Sequence, residues 1–136
     1  MNNKRIRFVQ PEIVRLELSD GDWVDVKKRL TVGEERTAYQ AIIGEVNQKT
    51  GWRRPNVEMV GIAEMVAYIV RWSFRDVNDS PVAVTVDAIK QMDSESFNEI
   101  EKALETHVAA VEAEVAAAKN VQDGKTATAA TSPSAA

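Results

Sequence analysis

A small α+β domain is the fold class this sequence predicts, on three observations. Two short runs alternate apolar and polar residues on either side of Ser19-Asp20-Gly21-Asp22, the pattern of an antiparallel hairpin. Three later segments repeat apolar residues at helical spacing. The chain has 136 residues, 44% of them hydrophobic and 28% charged, which suffices for one core without disulfides or metal. Hairpin and helices are therefore expected to share that core. The expected division is an N-terminal arm over 1–11, the domain over 12–119 and a disordered tail over 120–136.

In the first run, Val14, Leu16 and Leu18 share one face and Arg15 and Glu17 the other, as in a half-buried strand. Ser19 to Asp22 supply the short polar side chains and the glycine of a tight turn. Trp23 to Lys28 returns as the second strand. There Val24 and Val26 share one face and Trp23, Asp25 and Lys27 the other, which places Trp23 at the edge of the core or on a contact surface. Thr31 and Glu34 have the spacing of a capping box, so a helix opens there, with Tyr39, Ile42, Ile43 and Val46 as its buried stripe. Gly51 and Pro55 mark a loop over 47–55. From Val57 to Phe74 apolar residues occupy most sides, which predicts one central buried helix.

Asp76 to Pro81 is turn chemistry, and Val82 to Val84 is expected to be extended. Thr85 caps a brief helix ending near Met92. Asp93 or Ser94 then caps a long one, whose stripe runs Phe97, Ile100, Leu104, Val108, Val111 and Val115. Its mean spacing is that of a helix packed on a surface rather than of a two-stranded coiled coil. Beyond Asn120 the chain is mostly Ala, Thr and Ser, too poor in large apolar groups to offset its ordering entropy.

Composition also bounds function. With no cysteine there is no thiol nucleophile or thiolate metal site, and His107 is the single histidine. No secretory signal is expected, because only Ile6, Phe8 and Val9 follow the basic Lys4, Arg5 and Arg7. Glu58, Gly61, Glu64 and Arg71 interrupt the most apolar window, leaving less than the ~20 residues a membrane span needs. Residues 1–54 hold 11 basic and 8 acidic side chains, and 55–136 hold 6 and 13. A nucleic-acid reader would show a stronger basic excess, and the net acidity of residues 55–136 speaks against a helix-turn-helix with a basic recognition face.

Four groupings could carry chemistry. Asp20, Asp22 and Asp25 lack the register of a calcium loop. Trp52, Arg53 and Arg54 could stack on bases and pair phosphates, but a solvated loop is the simpler reading. His107 lies beside the last apolar stripe, where helix-flank packing is expected. Glu58 and Glu64 are expected on a narrow solvent face, with no nucleophile or glycine-rich loop near them. The sequence thus predicts neither an enzyme nor a bound cofactor or metal.

Three stretches read together resemble the tail assembly chaperones of long-tailed bacteriophages. They are Trp23-Val24-Asp25-Val26-Lys27-Lys28-Arg29-Leu30-Thr31-Val32-Gly33-Glu34, then Trp72-Ser73-Phe74-Arg75-Asp76 through a turn into Pro81-Val82-Ala83-Val84-Thr85, then Ser96-Phe97-Asn98-Glu99-Ile100-Glu101-Lys102-Ala103-Leu104-Glu105-Thr106-His107. The resemblance covers about residues 12 to 110. Asp79-Ser80 stands where the family pattern leads one to expect a glycine. The resemblance implies a non-catalytic protein of the host cytoplasm, absent from the mature virion, which binds the tape measure protein and helps tail tube subunits polymerise around it. Trp72, Phe74, Trp52 and Trp23 are the candidate partner-binding residues, since large aromatic side chains dominate such contacts. Core packing is the competing role for Trp72, Phe74 and Trp23. The resemblance further implies a ribosomal frameshift that appends a tail-tube-binding extension, with Gly124-Lys125 the candidate slip point and Lys119-Asn120 the alternative. A structural subunit of the tail or head–tail connector is the alternative function.

Overall fold

The computed structural model describes residues 6–43 and 59–122. Three strands and four helices follow in the order β1 (Ile13–Glu17), β2 (Trp23–Lys27), α1 (Val32–Ile43), α2 (Met59–Tyr68), β3 (Ile69–Trp72), α3 (Val86–Lys90) and α4 (Ser94–Gln122). The strands form one antiparallel sheet in the order β1-β2-β3. Residues 1–5, the interhelical stretch with Val46, Trp52 and Glu58, and the tail with Gly124 and Lys125 lie outside the described residues.

The hairpin forms as the alternation requires. Val14 pairs with Val26 and Leu16 with Val24, so the apolar members of both strands share a face. The reversal is one short 3-10 turn, Ser19–Gly21, in which Asp20 (φ 57°) and Gly21 (φ 78°) are left-handed. Asp and Gly tolerate that conformation best. Glu99 of α4 locks the turn: its carboxylate accepts from the Ser19 N–H at 2.7 Å and the Ser19 hydroxyl at 2.9 Å.

The central helix is shorter than its apolar run suggests. It ends at Tyr68, and the chain passes directly into β3, which pairs with the second edge of β2 through Val24–Trp72, Asp25–Arg71 and Val26–Ile69. The register shifts between Asp25 and Val26, because β3 places an extra residue, Val70, opposite that step. This bulge lets Ile69 and Trp72, three positions apart, both face the core. The β-branched and aromatic run Ile69-Val70-Arg71-Trp72 suits a strand, and an unpaired edge of β2 awaited it. Trp72 and Phe74 therefore lie on and just after a strand, not at a helix end.

Beyond Phe74 a small hairpin folds back, with a bridge between Arg75 and Pro81. The Asp76 carboxylate accepts from the N–H groups of Asn78 and Ser80, and Asp79 takes the left-handed conformation, φ 61°, which a glycine would otherwise fill. Val82 to Val84 form no strand. Thr85 caps α3 through the Ala88 N–H at 3.0 Å, and Asp93 caps α4 through the Ser96 N–H at 2.8 Å. That bond, with one from the Ser96 hydroxyl, holds the Asp93 carboxyl below its usual range.

The core joins Val24 and Val26 of the sheet, Ile62 and Met65 of α2, Ile69 and Trp72 of β3, Ile89 of α3, and Ile100 and Leu104 of α4. Helix α4 continues past Val111 with every residue from Glu112 to Asn120 exposed. At ~1.5 Å per residue its end projects well beyond the core. An ion pair between Lys28 and Glu114, 3.1 Å, tethers that extension to the end of β2.

Candidate partner-binding surface

Helix α1 lies against α2, and small residues of both helices line the groove between them. The capping box positions the start of α1: the Thr31 N–H donates to Glu34 Oε1 at 2.9 Å, and the Glu34 N–H donates to Thr31 Oγ1 at 3.1 Å. Lys27 of β2 donates to the other oxygen of Glu34. These bonds, that from Lys27 foremost, hold the Glu34 carboxyl below its usual range. The expected α1 stripe does not hold at Tyr39, which is 62% exposed. Instead Gly33, Thr37, Ala38 and Ala41 face Met59, Ala63, Val66 and Ala67 of α2 across an open groove of about 310 Å³, with Val86 and the Lys27–Glu34 pair completing its walls. Its apolar walls suit the side chains of a helix. Val66 remains 37% exposed there.

The candidate aromatic residues do not converge on one site. Trp72 is 8% exposed, and its indole N–H donates to the Val82 carbonyl at 2.7 Å. Phe74 is half-buried, its ring centroid 5.1 Å from that of Trp72. Together they line a separate hollow of about 300 Å³ with Val82, Ala88 and Met92. Trp23 is half-buried on the opposite face of the sheet, under the Arg15 guanidinium, 3.6 Å from the ring centroid. Trp52 lies outside the described residues.

That opposite face holds what the alternation concealed. Asp25 points away from the core, yet it is only 2% exposed. Arg15 covers it from β1 with two bonds, Nε at 2.8 Å and Nη2 at 3.0 Å, and Arg71 from β3 with Nε at 2.7 Å. The Arg15 bonds, ahead of the charge of both arginines, hold the Asp25 carboxyl below its usual range against the opposing effect of burial. Asp25 is thus a structural anion between two cations, not a calcium ligand. Among the described residues no group of three His, Asp or Glu is arranged to hold a metal ion.

Two other sequence candidates have structural places. His107 is 8% exposed, and its Nε2 lies 3.3 Å and 3.1 Å from the carbonyls of Lys27 and Lys28. Two acceptors require a protonated Nε2, so the ring pins α4 to the end of β2. Tyr68 meets it edge-on at 6.3 Å. Glu64 is partly buried rather than on an open solvent face; burial first, then the charges of Glu101 and Glu105, pushes its carboxyl up. The signal for the α1–α2 groove was present as small residues at helical spacing, Ala38 with Ala41 and Ala63 with Ala67. No family model matches the chain, and neither a curated protein nor a solved structure matches it.

Proposed function

We propose that this chain is a non-catalytic assembly chaperone of the long-tailed phage type, which shelters an apolar helical stripe of a tape measure protein. The groove between α1 and α2 is the observation that carries this reading. It is open, its walls are apolar, and small side chains on both helices let a third helix approach closely. A tape measure helix free in solution exposes a stripe that aggregates, and burying that stripe removes the driving force. The resemblance over residues 12 to 110 supplies the partner. The finer expectations, a host-cytoplasm location and recruitment of tail tube protein through a frameshifted extension, rest on that resemblance and belong to the same proposal.

Co-expression with the tape measure protein of the same phage tests it. The tape measure protein is expected in the soluble fraction with the chain present and in the pellet without it. Val66→Glu places a charge in the groove and is expected to abolish the effect while the melting curve stays cooperative. Equal solubility with and without the chain would refute the assignment. Trp72→Ala is unsuitable as a binding probe, because deleting a buried tryptophan costs ~3 to 5 kcal/mol of folding stability.

A further inference from the structure

The outer edge of β1 is unpaired among the described residues, since the sheet order is β1-β2-β3. Its register with β2 decides which backbone groups point outward. The Lys28 N–H donates to the Glu12 carbonyl and the Leu18 N–H to the Asp22 carbonyl, so even-numbered residues of this strand bond to β2. The N–H and C=O groups of Ile13, Arg15 and Glu17 therefore face away from the sheet. Val14 and Leu16 are half-buried at that rim, as is Leu18 just beyond the strand. An open edge of this kind is a template for another strand.

We propose that β1 pairs antiparallel with β1 of a second copy of this chain, about a two-fold axis at Leu16, giving one sheet of six strands. Charge selects the register. Outward-facing groups must meet outward-facing groups, so odd residues oppose odd ones. Centring the axis on Arg15 sets two arginines face to face, and centring it on Glu17 sets two glutamates so. Centring it on Leu16 sets Arg15 opposite Glu17 of the second copy, twice, on the solvent face. On the core face, Leu16 then meets its own counterpart and Val14 meets Leu18. Asp25 takes Nε and Nη2 of Arg15, so Nη1 is the guanidinium nitrogen that meets Glu17 of the second copy. The ladder ends after the Arg15–Glu17 pairs, because Ser19 gives its N–H to Glu99.

Sedimentation of the full chain against concentration tests this. The expected result is reversible formation of a species of twice the 15.0 kDa chain mass. Glu17→Lys sets like charges opposite one another at both pairs and is expected to weaken association about tenfold or more. The chain lacks cysteine, which permits a check independent of charge. Under mild oxidation Leu16→Cys is expected to form a disulfide-linked dimer. Val14→Cys and Leu18→Cys are expected to link with each other when mixed, and neither with itself. A chain that remains monomeric at ~0.5 mM, a dimer indifferent to Glu17→Lys, or absence of the Leu16→Cys link each overturns the proposal.

Discussion

Replacing Asp25 by Asn tests the reading of the outer sheet face, because the side chain keeps its shape while losing its charge. Asp25 accepts two charge-assisted bonds from Arg15, at 2.8 and 3.0 Å, and forms an ion pair with Arg71 Nε at 2.7 Å. Bonds to charged groups each contribute ~1.5 to 3 kcal/mol, but the sum is not lost in full. Arg15 and Arg71 have side chains 47% and 60% exposed, so water re-solvates them once the anion is gone. The amide nitrogen of Asn would face at least one guanidinium, donor against donor, at a site closed to water. The expected net loss is ~1 to 3 kcal/mol in urea denaturation at neutral pH and fixed protein concentration. The pH dependence supplies the sign. The folded carboxyl titrates below its ordinary value of 3.8, so its contribution is present above that value and is lost as pH falls through the folded pKa. Wild type and Asp25→Asn should therefore converge in acid and diverge above it. Parallel profiles, or a loss under ~0.5 kcal/mol at neutral pH, would refute the assignment of Asp25 as an anchored anion.

Glu64 has the opposite sign: its carboxyl is raised, so stability falls as pH climbs from its ordinary value of 4.5 through the folded pKa, and Glu64→Gln should flatten that slope and raise the melting temperature at neutral pH. Ile69→Ala in β3 should cost ~2 to 5 kcal/mol; a loss under ~0.5 kcal/mol would make that strand peripheral. At Gly61 an added Cβ would lie 2.6 Å from a Glu101 carboxylate oxygen and 3.0 Å from the Phe97 ring. The carboxylate can swing aside and Ala favours a helix by ~1 kcal/mol, so Gly61→Ala should be near neutral while the bulkier Gly61→Val loses ~1 to 3 kcal/mol, read from paired thermal melts.

Much of the fold was legible because local chemistry and tertiary outcome agree. The hairpin and the capping residues Thr85 and Asp93 sit as expected, and so do Ile100, Leu104 and Val111 of the α4 stripe, whereas its last expected member, Val115, is 38% exposed where α4 has passed the core. The third strand was not legible, and the bulge at Val70 explains why. By separating two core-facing residues by three positions it imitates helical spacing, so Ile69 and Trp72 look like a continuation of the run that begins at Met59. Tyr39 shows another limit: hydrophobic spacing predicted a buried stripe, but α1 turns Ala38 and Ala41 towards the groove with α2 and the tyrosine outward. Burial of Asp25 was invisible for a different reason. It depends on Arg71, brought alongside by a strand pairing that no local pattern announces.

The direct passage from α2 into β3 bears on how the domain comes apart. β2 acquires β1 through a reversal a few residues long, but it acquires β3 only from a segment more than 40 positions away, a slow and entropically costly closure. With no linker at Tyr68 to absorb a displacement, detaching β3 also disturbs the last turn of α2, where Met65 is fully buried. Sheet and helix are thereby placed in a single cooperative opening unit. Amide protons of β3 and of the final turn of α2 would exchange with solvent at matching rates, whereas the solvent-exposed end of α4 exchanges independently and sooner.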